Sequence, residues 1–179
     1  MKKLFFALSA ICLCALLSCS GGNSGGMSAT AKKNLDACNG INAAILSGDV
    51  SKLGDYIATD AVDHSGGKGD VKGLDNIKAE LATIHNTSTD MKMETIKELA
   101  DDDYVFQWQR FSGTASTADM GMPVGTKYDM TAIEVSKMKD GKAIEHWEFM
   151  SPSDMMKMMP QQGNMGGDMG NKMDSTMHK

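Results

Sequence analysis

The chain has 179 residues, 18 Lys and Arg against 23 Asp and Glu, and a formal charge of −5. That length holds one compact domain with short extensions and excludes two full-sized domains with a linker. The acidic balance and a single arginine, Arg110, exclude a nucleic-acid footprint, which needs clustered Lys and Arg.

Residues 1–18 open with Lys2 and Lys3, run apolar from Leu4 to Leu17, and end in Ser18 ahead of Cys19. The apolar run is too short to span a bilayer comfortably. The segment resembles a bacterial lipoprotein signal peptide. That resemblance implies cleavage before Cys19, a lipid on Cys19, and a membrane anchor in the cell envelope, on the outer membrane facing the periplasm. Cleavage removes Lys2, Lys3, Cys12 and Cys14 and takes the formal charge from −5 to −7. Cys38 then has no intramolecular partner, so the domain rests on an apolar core rather than disulfides. Residues 19–28 are dominated by Ser and Gly and read as a flexible tether.

Residues 29–160 carry the periodic patterns of one domain. From Thr30, Leu35, Cys38, Ile41 and Ile45 recur at helical steps, and Ser47-Gly48-Asp49 ends that helix. Cys38 lies on the apolar stripe and reads as a buried structural thiol. Val50, Leu53 and Ile57 predict a short second helix, and Asp60 to His64 a short extended piece. Ser65 to Asp70 is a glycine-rich loop without Walker spacing, so it is no phosphate cradle. Leu74, Ile77, Leu81 and Ile84 predict a third helix.

After Asn86 the period changes to two. Strands are predicted over Met91–Leu99, Tyr104–Ser112, Lys127–Met138 and Lys142–Met150. Asp140-Gly141 suits a two-residue hairpin turn, because both positions favour positive φ. Ser151 and Pro152 suit the cap and first position of a last short helix. Helices followed by consecutive strands make an α+β order. Residues 161–179 lack aromatics and read as a disordered tail rich in methionine.

Four stretches carry a family resemblance: Gly48-Asp49 with Leu53, Asp60-Ala-Val-Asp-His64, Phe111-Ser-Gly-Thr114, and Asp140-Gly-Lys-Ala-Ile-Glu-His-Trp147. Together they resemble the SnoaL-like polyketide cyclases of the nuclear transport factor 2-like superfamily. The resemblance implies a cone: a bent antiparallel sheet wrapped around three helices, with an apolar pocket at one end. It also implies a homodimer through the outer face of the sheet. Family functions range from cyclases and isomerases to non-catalytic binders, so the fold leaves the activity open. The cyclases commonly place a catalytic aspartate four residues after the motif tryptophan. Here that position is Ser151, whose hydroxyl cannot take a carbon-bound proton as a carboxylate does.

On the last strand, Ala143, Glu145, Trp147 and Phe149 alternate with Ile144, His146, Glu148 and Met150. The first set is the more apolar and is expected inside the cone. Glu145 would then be a desolvated carboxyl able to move a proton, with His64 beside the pocket mouth. Tyr104, Trp108 and Arg110 share a face of their strand and form, with Trp147 and His146, an expected ligand wall. The leading expectation is a domain that binds a small apolar or aromatic molecule without catalysis. The alternative is a cyclase- or isomerase-type enzyme using Glu145 or His64 as acid and base. No motif points to a bound cofactor. A third reading gives Cu(I) to the tail, since Met165, Met169, Met173 and Met177, with His178, supply soft ligands.

Overall fold

The structure is a computed structural model and describes residues 26–158. The expected signal segment, Cys19 and the candidate tail ligands Met165, Met169, Met173, Met177 and His178 lie outside the described residues. Helix α1 covers Ala29–Ser47. The Ser28 Oγ accepts from the Ala31 amide at 2.9 Å, and Gly48, at φ 72°, closes the helix in the left-handed region. Helix α2 is a single turn, Leu53–Tyr56, and strand β1 follows at once over Ile57–Asp63. The predicted second helix therefore stops short of Ile57. That side chain is 5% exposed as a strand residue opposite Ala143, a tertiary pairing that local spacing cannot show.

Strand β2 is Val71–Lys72, helix α3 Leu74–Ile84, strand β3 Ser88–Ala100 and strand β4 Tyr104–Ala115. Strand β5, Lys127–Lys139, turns through Asp140 and Gly141, both at positive φ, into strand β6, Lys142–Met150. Helix α4, Pro152–Met158, starts where Ser151 Oγ accepts from the Asp154 amide at 3.1 Å.

The six strands form one bent sheet in the order β2-β1-β6-β5-β4-β3. All neighbours are antiparallel except β1 and β6, which run parallel. A parallel pair needs a long connection, and here everything from β2 to β5 supplies it. The helices cover one face. Leu35, Ala37 and Cys38 of α1 bury against Val105, Met138 and Ala143. Leu53 of α2, fully buried, joins Ala44, Ile57, Ala61 and Ile77. Truncating Leu53 to alanine would cost about 2–5 kcal/mol. A third cluster, Ala115, Met122, Tyr128 and Met130, closes the far end with Phe111, Met150 and Met158 packed on it. Between these clusters the inner face turns polar.

Candidate functional site

The inner face is set by strand alternation. Along β5, Met130, Ala132, Glu134, Ser136 and Met138 point inward, and Asp129, Thr131, Ile133 and Lys137 outward. Register with β6 places Ser136 opposite His146 and Glu134 opposite Glu148. Register with β4 places Gln107 opposite Glu134 and Gln109 opposite Ala132. Asp63, the last residue of β1, pairs with His146 from the other side. Four strands, β4, β5, β6 and β1, thus bring Gln107, Gln109, Glu134, His146, Glu148 and Asp63 to one patch of the inner face.

His146 is held at both ring nitrogens. Nδ1 lies 3.1 Å from Asp63 Oδ1 and Nε2 2.9 Å from Glu134 Oε2. The two carboxylates are largely buried and the imidazole half-buried. Burial opposes a charge on the ring, but the bonds to Asp63 and Glu134 prevail and push it up to about 10. For Asp63 too burial opposes the charge, and His146 with Ser65 nevertheless brings the carboxyl down to about 2. His146 is therefore a fixed imidazolium, saturated with acceptors. It offers positive charge but no mobile proton.

Glu148 is different. Water reaches its side chain, yet it stands among protein atoms beside Glu134. Desolvation, then the charge of Glu134, push it up to about 7, against the opposing pull of His146. Glu80 of α3 is also raised, first by burial and then by the charge of Asp63.

The residues expected to act lie mostly on the other side of the sheet. Glu145, Trp147 and Phe149 face outward, while His146 faces in. A register shift between Lys137 and Met138 explains the inversion: Ala143 is inside as expected, and the irregularity reverses the strand's parity beyond it. Glu145 is bonded by Lys137 Nζ at 2.7 Å, which holds it below the usual carboxylate range, not above it. His64 joins it there, 3.4 Å from Glu145 Oε2 and 3.1 Å from Asp70 Oδ1, stacked on Trp147 at 4.9 Å. So His64 and Glu145 do meet, but as an outer ion-pair cluster.

The ligand wall is corrected in the same way. In the first half of β4 the buried residues are Val105, Gln107 and Gln109, and Tyr104, Trp108 and Arg110 face outward, with Trp108 46% exposed. Arg110 is paired with Asp129, its Nε donating to Oδ1 at 2.7 Å. Apolarity misleads here because the outer face is itself apolar and the inner face holds the amides. Asp63, Glu134, Glu148, Gln107 and Gln109 were not singled out by their spacing. The available signal was Gln107 and Gln109 alternating with aromatics, since that pattern also permits an inward polar face.

A family model of the SnoaL-like polyketide cyclases matches residues 36–162. The chain belongs to that family. Solved structures agree on the fold. A protein of Jannaschia sp. CCS1 designated a SnoaL-like polyketide cyclase superposes at TM-score 0.66 with 15% identity, covering 76% of this chain and 97% of that one. IdmH of Streptomyces antibioticus, designated a polyketide cyclase, gives 0.58 at 27% identity, covering 70% and 96%. An epoxide hydrolase of the LEH-like type from M. tuberculosis gives 0.58 at 14% identity, covering 72% and 90%. A search of curated protein sequences finds no match. In this SnoaL-like domain Ser151 accepts the Asp154 amide and donates to Asp154 Oδ2 at 2.9 Å, so it serves as a helix cap.

Proposed function

We propose that the inner face is a small-molecule site that performs acid–base chemistry next to a carbonyl, with Glu148 moving the proton. The observation that carries this reading is the Asp63–His146–Glu134 chain, 3.1 and 2.9 Å, fixed beside Glu148 on the inner face. A carboxyl near neutrality can both accept and return a proton. Desolvation and the Glu134 charge hold Glu148 near neutrality, and His146, bonded to both Asp63 and Glu134, fixes Glu134 in place beside it. The family's cyclases and isomerases do chemistry of this kind, and the LEH-like relative is named a hydrolase. Binding without catalysis, expected from the sequence, relies on Tyr104, Trp108, Arg110, Trp147 and His146, and of these only His146 faces this site.

The test is deuterium exchange into 2-tetralone, a compact ketone with acidic C–H bonds, followed by NMR. The wild-type domain should accelerate exchange and Glu148→Gln should lose about 100-fold or more of it. Equal exchange in the two proteins, or none in either, would reject the assignment.

The leader motif supports an address for this chemistry: a lipid on Cys19 and an outer-membrane anchor facing the periplasm. Cys19→Ala should move the protein from the membrane to the soluble fraction of fractionated cells. Unchanged membrane association would reject lipid anchoring.

A further inference from the structure

We infer that the inner site selects molecules carrying a hydroxyl or N–H donor, and that Oε1 of Gln109 receives that donor. This rests on the reading of the inner face as a small-molecule site, but not on Glu148 being its base.

Gln109 is 1% exposed, and its Oε1 has no hydrogen-bond partner among the described residues. Its orientation follows from its neighbours. Gln107 Nε2 lies 3.4 Å from Glu98 Oε2 and 2.9 Å from Asn39 Oδ1. A carboxylate only accepts, so the nitrogen of Gln107 must face Glu98. Its Oε1 then faces the other way and accepts from Asn42 Nδ2 at 3.2 Å and Gln109 Nε2 at 3.3 Å. Turning the Gln109 amide over would set two carbonyl oxygens against each other. The chain of amides therefore ends, by construction, in an acceptor without a donor.

A buried acceptor left unpaired is a cost that a ligand donor removes. The register ties this acceptor to the row that carries Glu148. Gln109 lies on the Ala132 row, one step along the inner face from the Gln107–Glu134–Glu148 row. Two residues on one strand face are about 7 Å apart. The donor would sit at about that distance, measured along the strand, from the row that carries Glu148. Beyond Gln109, Phe111, Met130 and Met150 belong to the methionine-lined cluster. Methionine is unbranched and repacks readily, so this wall can admit a flat or alicyclic skeleton to an atom that is covered in the resting protein.

Two ketones that differ by one hydroxyl test this, 2-tetralone and 6-hydroxy-2-tetralone, with binding measured by calorimetry. The wild-type domain should hold the hydroxylated ketone about tenfold or more tightly. Gln109→Leu should reduce that preference to near unity. Gln109→Met, unbranched like the native side chain, serves where the leucine variant does not fold. Glu148→Gln should keep the preference even though it loses exchange, which separates this inference from the catalytic one. Equal affinity for the two ketones, binding of neither, or a preference unchanged in the Gln109 variants would overturn it. So would a crystal structure with the hydroxyl bound away from Gln109.

Discussion

Glu134 and Glu148 stand opposite each other across the β5–β6 ladder, both on the helix-covered face. Only one of them is bonded to His146, and that asymmetry separates their roles. Glu134 shares its charge with the imidazolium at 2.9 Å. Glu148 faces the Glu134 charge with less help, and its proton is retained to about pH 7.

This pairing sets a pH-dependent stability. The folded-state value of Glu148, about 7, lies above the ordinary 4.5. A raised acid favours folding in its protonated form, so its contribution is present below pH 4.5 and is lost as pH rises through 7. Glu148→Gln removes that dependence. The variant should gain about 1 kcal/mol over wild type at pH 8, a discounted figure because water reaches the side chain. The gain should shrink to nothing at pH 4. Urea denaturation at both values measures it, and equal gains at pH 4 and pH 8 would remove the assigned role of Glu134.

Replacing His146 should do the opposite. In His146→Leu, Asp63 and Glu134 keep buried negative charges without their cation, a loss of about 3 kcal/mol at pH 7. The wild-type curve has a defined window. His146 is raised to about 10, so its stabilisation is complete below 6.5 and is lost as pH climbs through 10. Asp63 is lowered to about 2, so its share is present above 3.8 and is lost as pH falls through 2. The variant should therefore lose the wild-type fall in stability between pH 8 and 10. A variant as stable as wild type at pH 7 would show that the chain is not a structural unit.

The fold was legible because it depends on periodicity and turn chemistry. Leu74, Ile77 and Leu81 mark α3, and Asp140-Gly141 marks the β5–β6 turn, with local residues sufficient in each case. The site was not legible, because which face of a strand looks inward is a register property. The parity of β6 depends on an irregularity opposite Lys137–Met138, and its composition leads to the wrong face. His146 was singled out, but its partners come from positions 83 and 12 residues away along the chain. No spacing rule links Asp63 to Glu134.

Cys38 should be chemically silent in the native protein. It is 4% exposed, packed with Leu35 and Met138, and burial pushes its thiol up to about 11. A disulfide reagent at pH 8 should find no reactive thiol in a form beginning at Ser20. After denaturation it should find one, since Cys38 is the only cysteine beyond residue 19. Rapid labelling without denaturant would show that the α1–sheet contact opens.

The outer face poses a different problem of burial. Leu99, Phe106, Trp108, Ile133 and Phe149 are each between 42% and 61% exposed. They are contiguous through the register, with Leu99 opposite Phe106, Trp108 opposite Ile133, and Ile133 opposite Phe149. Around them Arg110 is paired with Asp129, and Lys137 with Glu145 at 2.7 Å. Four of the charges on this face are thus paired within the chain. An apolar centre with a neutralised polar rim suits an interface, and a two-fold axis can set such a face against itself. We propose a second copy of this chain as its cover, as the family resemblance implies. Trp108→Lys puts an unpaired charge at the centre of that contact. Sedimentation should show a dimer for wild type and a monomer for the variant, with 2-tetralone exchange retained because Trp108 faces away from Glu148. A wild-type domain that stays monomeric at 100-fold increasing concentration would leave the apolar face without this role, and a dimeric Trp108→Lys variant would place the contact elsewhere.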